Sequence, residues 1–481
     1  MLNLATILFV IGLVLSKIAL FMYIPAIVAF STATQGFWEF GSAILITHSC
    51  AFALLALGRR RTFRLGVRDM FLITTLVWTI ASAFAALPFV FINHISFSDA
   101  YFETMSGITT TGSTVLSGLD SMAPSILLWR SLLQWLGGIG FIVMGVAILP
   151  MLNVGGMRLF HTESSDWSEK SAPRTKQVAL HIVQVYIVLT FLCYLGYLVA
   201  GMSPFEAINH ALTTLSTGGY STSDGSMNHF SSLAHWNAIL FMFAGGLPFL
   251  LFIRALKRKT HHPITQDAQV RGFAKLTLLV GAIVAFSLHY QSHYTWLDAV
   301  RVGLFNVISV MTTTGFGLGD FTHWGAAMSV VFAFLMMAGA CSGSTSGGIK
   351  LFRFQIATAL FNRHMMQLIH PSGVFIQRYN GEKVTEGIVR SVIAFALVFF
   401  VTVIVTALLL ALLGLDATTS LSGAITAVAN VGPGMGNIIG PSGNFASLPA
   451  MAKWILSLAM LMGRLEIITV LVLFYPAYWR N

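Results

Sequence analysis

Long apolar runs alternate along this chain with short polar segments rich in glycine. Leu4–Phe30, Phe71–Ile92, Gln177–Ala200, Trp236–Ile253 and Ile388–Leu413 are each long enough to cross a hydrocarbon core of about 30 Å at roughly 1.5 Å per helical residue. Period-two alternation is absent, so these are expected to be helices and not barrel strands. The first run has no basic start and no clear small-residue cleavage site, and it exceeds the length of a signal h-region. It is expected to be retained as a span. Between the long runs lie shorter ones, about Asp99–Ile108, Glu206–Leu215, Asp298–Met311 and Thr419–Val428. Too short to span, they are expected to be re-entrant half-helices. Each runs into a turn closed by glycine: Thr110-Thr111-Gly112, Ser216-Thr217-Gly218, Thr313-Thr314-Gly315 and Asn430-Val431-Gly432.

The turn glycines recur 106, 97 and 117 residues apart (112 to 218, 218 to 315, 315 to 432). Aligned on them, Glu103, Asn209, Asn306 and Gly423 share one place nine residues upstream, with Phe102-Glu103, Ile208-Asn209 and Phe305-Asn306 in register. This points to an internal repeat. The expected architecture is an all-α integral membrane protein. An N-terminal helix pair, 1–58, precedes four units of spanning helix, half-helix, turn and spanning helix: 69–152, 176–256, 270–362 and 384–481. Non-helical backbone at membrane depth is tolerated only where protein buries it or it lines a water-filled cavity. Four such turns imply one shared cavity.

Composition agrees with a membrane protein: of 481 residues, 56% are hydrophobic and 9% charged. Sidedness follows from the 27 Lys and Arg, of which 22 fall in segments opposite the turns, three (Arg130, Arg301, Lys453) on the turn side, and two (Lys17, Arg464) inside apolar runs. Basic loops stay cytoplasmic, so the turns are expected to face outward. The net charge of +10 is therefore mostly topological. It calls for lipid headgroups as neighbours and not for nucleic acid. Three cysteines, Cys50, Cys193 and Cys341, all in apolar surroundings, argue against a disulfide framework.

The turns carry the candidate chemistry. A half-helix aimed at a common axis presents its C-terminal end there, equivalent to about half a negative charge, which favours cations and disfavours anions. Glycine adopts positive φ, letting successive carbonyls line a pore and replace the water shell of a potassium ion. Gly112, Gly218, Gly315 and Gly432 are thus the candidate filter residues. Thr110, Thr111, Ser216, Thr217, Thr313, Thr314, Asn430 and Val431 supply further carbonyls. A second glycine-rich stretch, Gly339 to Lys350, interrupts the helix after the third turn. It reads either as a gate beneath the filter, with Gly339, Gly343, Ser344, Gly347 and Gly348 giving it freedom, or as a close-packing kink. Arg464, within apolar sequence, either faces the pore and limits flux or pairs with Glu466 or another carboxylate. Lys17 is expected to snorkel or pair. A sodium- or proton-coupled symporter would need more ionisable groups at mid-membrane than Arg464, Glu466 and Lys17 offer. An intramembrane hydrolase built on Ser342, Ser344 or Ser346 lacks a base beside the nucleophile.

The four turns, the Gly343-Ser344-Thr345-Ser346-Gly347-Gly348-Ile349-Lys350 segment and Gly463-Arg464-Leu465-Glu466 resemble the Trk/Ktr/HKT superfamily of cation transporters, most closely its bacterial TrkH-type potassium uptake subunits. The resemblance covers nearly the whole chain. It implies a pseudo-tetrameric pore from one chain in the bacterial inner membrane, a homodimer, and potassium as the transported ion without a prosthetic group. It also implies an intramembrane gating loop at Gly339–Gly348, a pore-facing Arg464, and a cytosolic nucleotide-binding regulatory subunit of TrkA type on the basic loops. The fourth turn, Asn430-Val431-Gly432, departs from the threonine pattern.

Overall fold

The computed structural model describes residues 3–58, 66–147, 172–292 and 294–480. Most of the first two basic loops, within 59–68 and 158–176, and the end of the first expected unit at 148–152 lie outside the described residues. Among the described residues the fold is helical, with one hairpin of two-residue strands, Arg378–Tyr379 against Glu382–Lys383. Among the described residues, seven helices are long and apolar enough to cross a membrane: Leu4–Ser31, Phe37–Gly58, Val67–Asn93, Pro124–Met144, Gln177–Val199, Ala268–Gln291 and Glu386–Leu412. The first two pack as a hairpin in which glycine lets backbones meet. Gly12 lies against the Ala51 carbonyl and Gly58 against the backbone of Ala5 and Phe9, the small-residue contact that membrane helices use in place of a hydrophobic drive.

Four short helices match the expected half-helices: Phe97–Ile108, Pro204–Leu215, Trp296–Met311 and Ala417–Ala429. Their starts are written in the sequence. Ser96, Ser203, Thr295 and Asp416 are N-caps whose side chains accept from the backbone N–H three residues on. Each cap satisfies a donor that the first turn would otherwise leave unpaired. The half-helices are buried along most of their length, whereas the outer spans are largely exposed.

Two breaks were not legible. Trp236–Ile253 reads as one span, but the chain forms Ser232–Gly245 and Phe249–Arg258 at 90° to one another. Pro248 has no N–H to continue the ladder, and Gly245 and Gly246 are weak helix formers. The last span likewise bends by 110° between Ala450–Arg464 and Ile468–Phe474. Its corner is unusual, since Glu466 (φ 61°) and the β-branched Ile467 (φ 36°) both lie where side chains clash with backbone. The expected break does occur: Ala326–Ala338 ends at Gly339, and a helix resumes only at Leu351.

Candidate functional site

All four half-helices end in the same way. The N–H groups of Thr110, Thr217, Thr313 and Asn430 bond to carbonyls three residues back, and those of Thr111, Gly218, Thr314 and Val431 to carbonyls five back. This is the Schellman closure, whose left-handed residue is usually glycine or asparagine. Here φ is 53° at Thr110, 51° at Thr217, 57° at Thr313 and 58° at Asn430. Only Asn430 suits it. A β-branched residue there costs on the order of 1–3 kcal/mol, so three threonines hold strain that the surrounding packing imposes.

The shared closure corrects one register. Two residues beyond each left-handed residue stands a glycine of positive φ: Gly112, Gly219, Gly315 and Gly432. The equivalent of Gly112 is thus Gly219, and Gly218 takes the middle position held by Thr111, Thr314 and Val431. Ser216 caps the half-helix. The residue nine before the glycine is then His210 in place of Asn209. Its role agrees, since Glu103, His210 and Asn306 each bond the strand leaving their own turn, at Val115, Ser221 and Leu318 respectively. The Gly218-Gly219 pair makes the choice ambiguous from sequence.

With that register the turns close into a ring. A Cβ on Gly112 would strike the Gly218 carbonyl, one on Gly219 the Thr314 carbonyl, and one on Gly315 the Val431 carbonyl. One on Gly432 would lie 2.8 Å from the Thr111 carbonyl. Each glycine therefore abuts the middle carbonyl of the next turn, in the order one, two, three, four, one. Ser113 Oγ donates to the Gly432 carbonyl (2.8 Å), and Asn430 Nδ2 to Thr111 Oγ1 (3.0 Å), which seals the fourth turn to the first. Above the ring opens a cavity of about 580 Å³ lined by Gly112, Gly219, Gly315 and Gly432. Nearby, the hydroxyl of Ser223 first and then the N–H of Asp224 hold the exposed Asp120 carboxyl below the usual carboxylate range, against desolvation that pushes it up. It is charged at neutral pH.

The glycine-rich segment 339–350 lies directly against the other side of the ring. Thr345 Oγ1 donates to Leu215 O (3.2 Å) and Gly245 O (3.0 Å), and Gly347 N donates to Thr313 Oγ1 (2.7 Å). A Cβ on Gly347 would strike the Ala429 carbonyl. Ser344 Oγ bonds back to Cys341 O (2.6 Å), and Gly339, Gly343 and Gly348 take φ of 68°, 77° and 73°. Gly339 and Gly348 sit face to face, so closely that neither has room for a Cβ. Arg464 reaches the same segment, donating from Nη1 to Thr345 O (2.8 Å) with its guanidinium 4.0 Å from the Phe141 ring centre. It is 1% exposed, and among the described residues Nε and Nη2 find no acceptor. Glu466 does not pair with it but with Arg353 (2.7 Å). Lys17 lies exposed on the first span.

A cation-transport family model, "TrkH: Cation transport protein", matches residues 38–481. The chain is 48% identical to the Trk system potassium uptake protein TrkI of Halomonas elongata, over 99% of this chain and 97% of that one. It is 36% identical to the TrkH protein of the same organism, over the whole of both. The chain belongs to the TrkH family. The crystal structure of the potassium transporter TrkH from Vibrio parahaemolyticus superposes with a TM-score of 0.92 at 32% identity, covering 99% of each chain. Family membership makes this a transporter, and the hydrolase reading falls with it.

Several charges in this TrkH-family chain occupy places that sequence reasoning missed. Lys350 and Arg353, counted above with the basic loops, are buried beside the glycine-rich segment. Lys350 Nζ bonds the Ser346 carbonyl, and Arg353 also lies over the Phe395 ring at 3.6 Å. Glu103 and Arg130, read only as a repeat marker and a turn-side charge, form an ion pair of 2.8 Å at 0% and 1% exposure. Glu103 also accepts from Thr114 Oγ1 and Val115 N, while Arg130 donates to Ser221 O (3.0 Å) and lies 4.1 Å from the Tyr220 ring centre. Tyr220 Oη returns to Glu103 O (2.8 Å). The pair thus braces turns one and two from behind. Gln134 completes the brace, donating to Gly218 O and accepting from Tyr220 N. Nothing in the spacing of these residues along the chain marks them as partners.

Proposed function

We propose that the chain takes up potassium through a filter of turn carbonyls, contributed by Thr110, Thr111 and Gly112, Thr217, Gly218 and Gly219, Thr313, Thr314 and Gly315, and Asn430, Val431 and Gly432. The observation that carries this reading is the closed ring, in which each turn glycine lies against the next turn's carbonyl beneath an open cavity. Four converging helix C-termini favour a cation there, and fixed carbonyls can take the place of its water. The relatives named as potassium uptake proteins support the choice of ion. The turns face outward and the basic segments the cytoplasm of the inner membrane, where a TrkA-type nucleotide-binding subunit docks on a homodimer of this chain.

Segment 339–350 acts as the gate and Arg464 as the charge that keeps it shut, since the guanidinium holds Thr345 O and, among the described residues, leaves two donors unpaired near the ion path. Conduction is passive. Glu103 and Glu466, two carboxylates buried near the ring and the glycine-rich segment, are each tied in an ion pair with an arginine, which supports a bracing role for them over ion coupling.

The test is flux of potassium, rubidium, sodium and lithium into liposomes holding the purified protein at clamped potential. Potassium and rubidium entry that follows the potential without a proton or sodium gradient is expected. Entry that demands a second gradient makes this a symporter. In the same assay Arg464→Ala is expected to raise basal flux about tenfold at equal protein level, the factor corresponding to about 1.4 kcal/mol of gating free energy. No rise would leave Arg464 a packing role.

A further inference from the structure

The segment under the ring is also held from the opposite side, by a residue none of the readings above uses. Gln269 Oε1 accepts the backbone N–H of Ser342 at 2.9 Å, and Gln269 is 1% exposed. It is the second residue of the helix Ala268–Ser292, so its position is set by how that helix starts. The start is clasped twice. Asp267 Oδ1 accepts from Gln269 N (2.8 Å) and Val270 N (3.2 Å), the usual work of a cap. Its other oxygen, Oδ2, accepts from Asn380 Nδ2 (2.9 Å), and Asn380 Oδ1 in turn accepts from Ala268 N (2.8 Å).

Asn380 belongs to the two-stranded hairpin on the basic side. Asn380 (φ 48°) and Gly381 (φ 87°) form its tip, with the two positive φ values that a tight hairpin turn requires. A second bond anchors the hairpin to both partners. Tyr379 Oη donates to Gln355 Oε1 (2.7 Å), and Gln355 Nε2 donates to Ala268 O (2.8 Å). Gln355 lies on Leu351–Ile369, the helix that continues from the glycine-rich segment, and Gly272 leaves the space that its amide enters. One hairpin therefore fixes the helix leaving the segment and, through Asp267 and Gln269, the N–H near the segment's start.

We propose that Gln269 is a positioning residue for the gate, and that the hairpin tip at Asn380 sets its position through Asp267. Displacing the hairpin releases the Ser342 end of the segment and opens the path below the ring. This rests on the reading of 339–350 as the gate. Four side chains, Asn380, Asp267, Gln269 and Gln355, so convert an event on the basic face into a change at membrane depth. Each bond is direct, with no gap for an unseen bridge.

The test uses the full chain in liposomes and in nanodiscs. Gln269→Leu removes the acceptor at near-constant size, Gln269→Glu keeps it, and Asn380→Gly keeps the positive φ while deleting the amide. Gln269→Leu and Asn380→Gly are each expected to raise basal rubidium flux about fivefold, roughly the factor one net hydrogen bond is worth. Gln269→Glu should stay near the parent, and the double variant Gln269→Leu/Asn380→Gly should exceed neither single, since both act on one bond. Deuterium exchange of the peptide around Ser342 should rise in both singles and not in Gln269→Glu. Additive fluxes, or exchange near Ser342 unmoved by Asn380→Gly, would overturn the proposal. So would exchange that rises without flux when Arg464→Ala does raise flux. Flat flux in every variant, Arg464→Ala included, would instead sink the gate reading on which this one stands.

Discussion

Gly219→Ala is expected to collapse the preference for potassium over sodium by at least about tenfold, equal to about 1.4 kcal/mol of differential ion stabilisation, while Gly218→Ala does far less. The reason is local. At Gly219 φ is 78°, and an added methyl meets the backbone carbonyl of Thr314, which cannot move without dragging the third turn with it. At Gly218 φ is ordinary for an L-residue, and the methyl meets the side chain of Gln134. That amide can yield, at the expense of its bonds to Gly218 O and Tyr220 N. Tracer flux of both ions at equal protein level is the measurement. The larger effect at Gly218 would restore the register read from sequence and break the proposed equivalence. Gly112→Ser, which meets the Gly218 carbonyl, should fall with Gly219→Ala.

Arg130→Ala is expected to destabilise the protein by about 3–5 kcal/mol, because it strands the Glu103 carboxylate at 0% exposure without its counter-charge. The double variant Glu103→Gln/Arg130→Met should lose less than Arg130→Ala alone, since no buried charge is left behind. Thermal unfolding of the detergent-solubilised protein reads the order. A double variant at least as unstable as the single would place the role of Arg130 in its bond to Ser221 O and its contact with Tyr220, and not in the ion pair. Since Tyr220, Glu103 and Gln134 tie turn one to turn two, surviving Arg130→Ala protein should also discriminate less sharply between potassium and sodium.

What was legible in the sequence was what local rules fix. The shortness of the half-helices and the glycines after them needed no partner to be read, whereas their starts, set by the caps at Ser96, Ser203, Thr295 and Asp416, lie two residues or more before the expected ones. The glycine-rich break at 339–350 was legible for the same reason, since glycine and serine weaken a helix wherever it is packed. The second turn shows the limit. Ser216-Thr217-Gly218-Gly219 offers two glycines for one place, and only the hydrogen bonds of the closure select the later one. The bends at Gly245–Pro248 and Glu466–Ile467 also lay hidden, because apolar residues resume on both sides of each corner.

By itself, then, the chain determined a helical membrane protein, its four half-helices and a set of turns suited to a cation. These follow from hydrophobic run length and the backbone conformation that glycine permits, both properties of neighbours in sequence. Which carbonyl meets which glycine, which arginine holds Glu103, Glu466 or Thr345, and how Gln269 reaches Ser342 were decided only by the tertiary structure. Each joins residues 27 to 321 positions apart. A buried charge or amide is satisfied by whatever packing brings within about 3 Å, and sequence spacing carries no record of that.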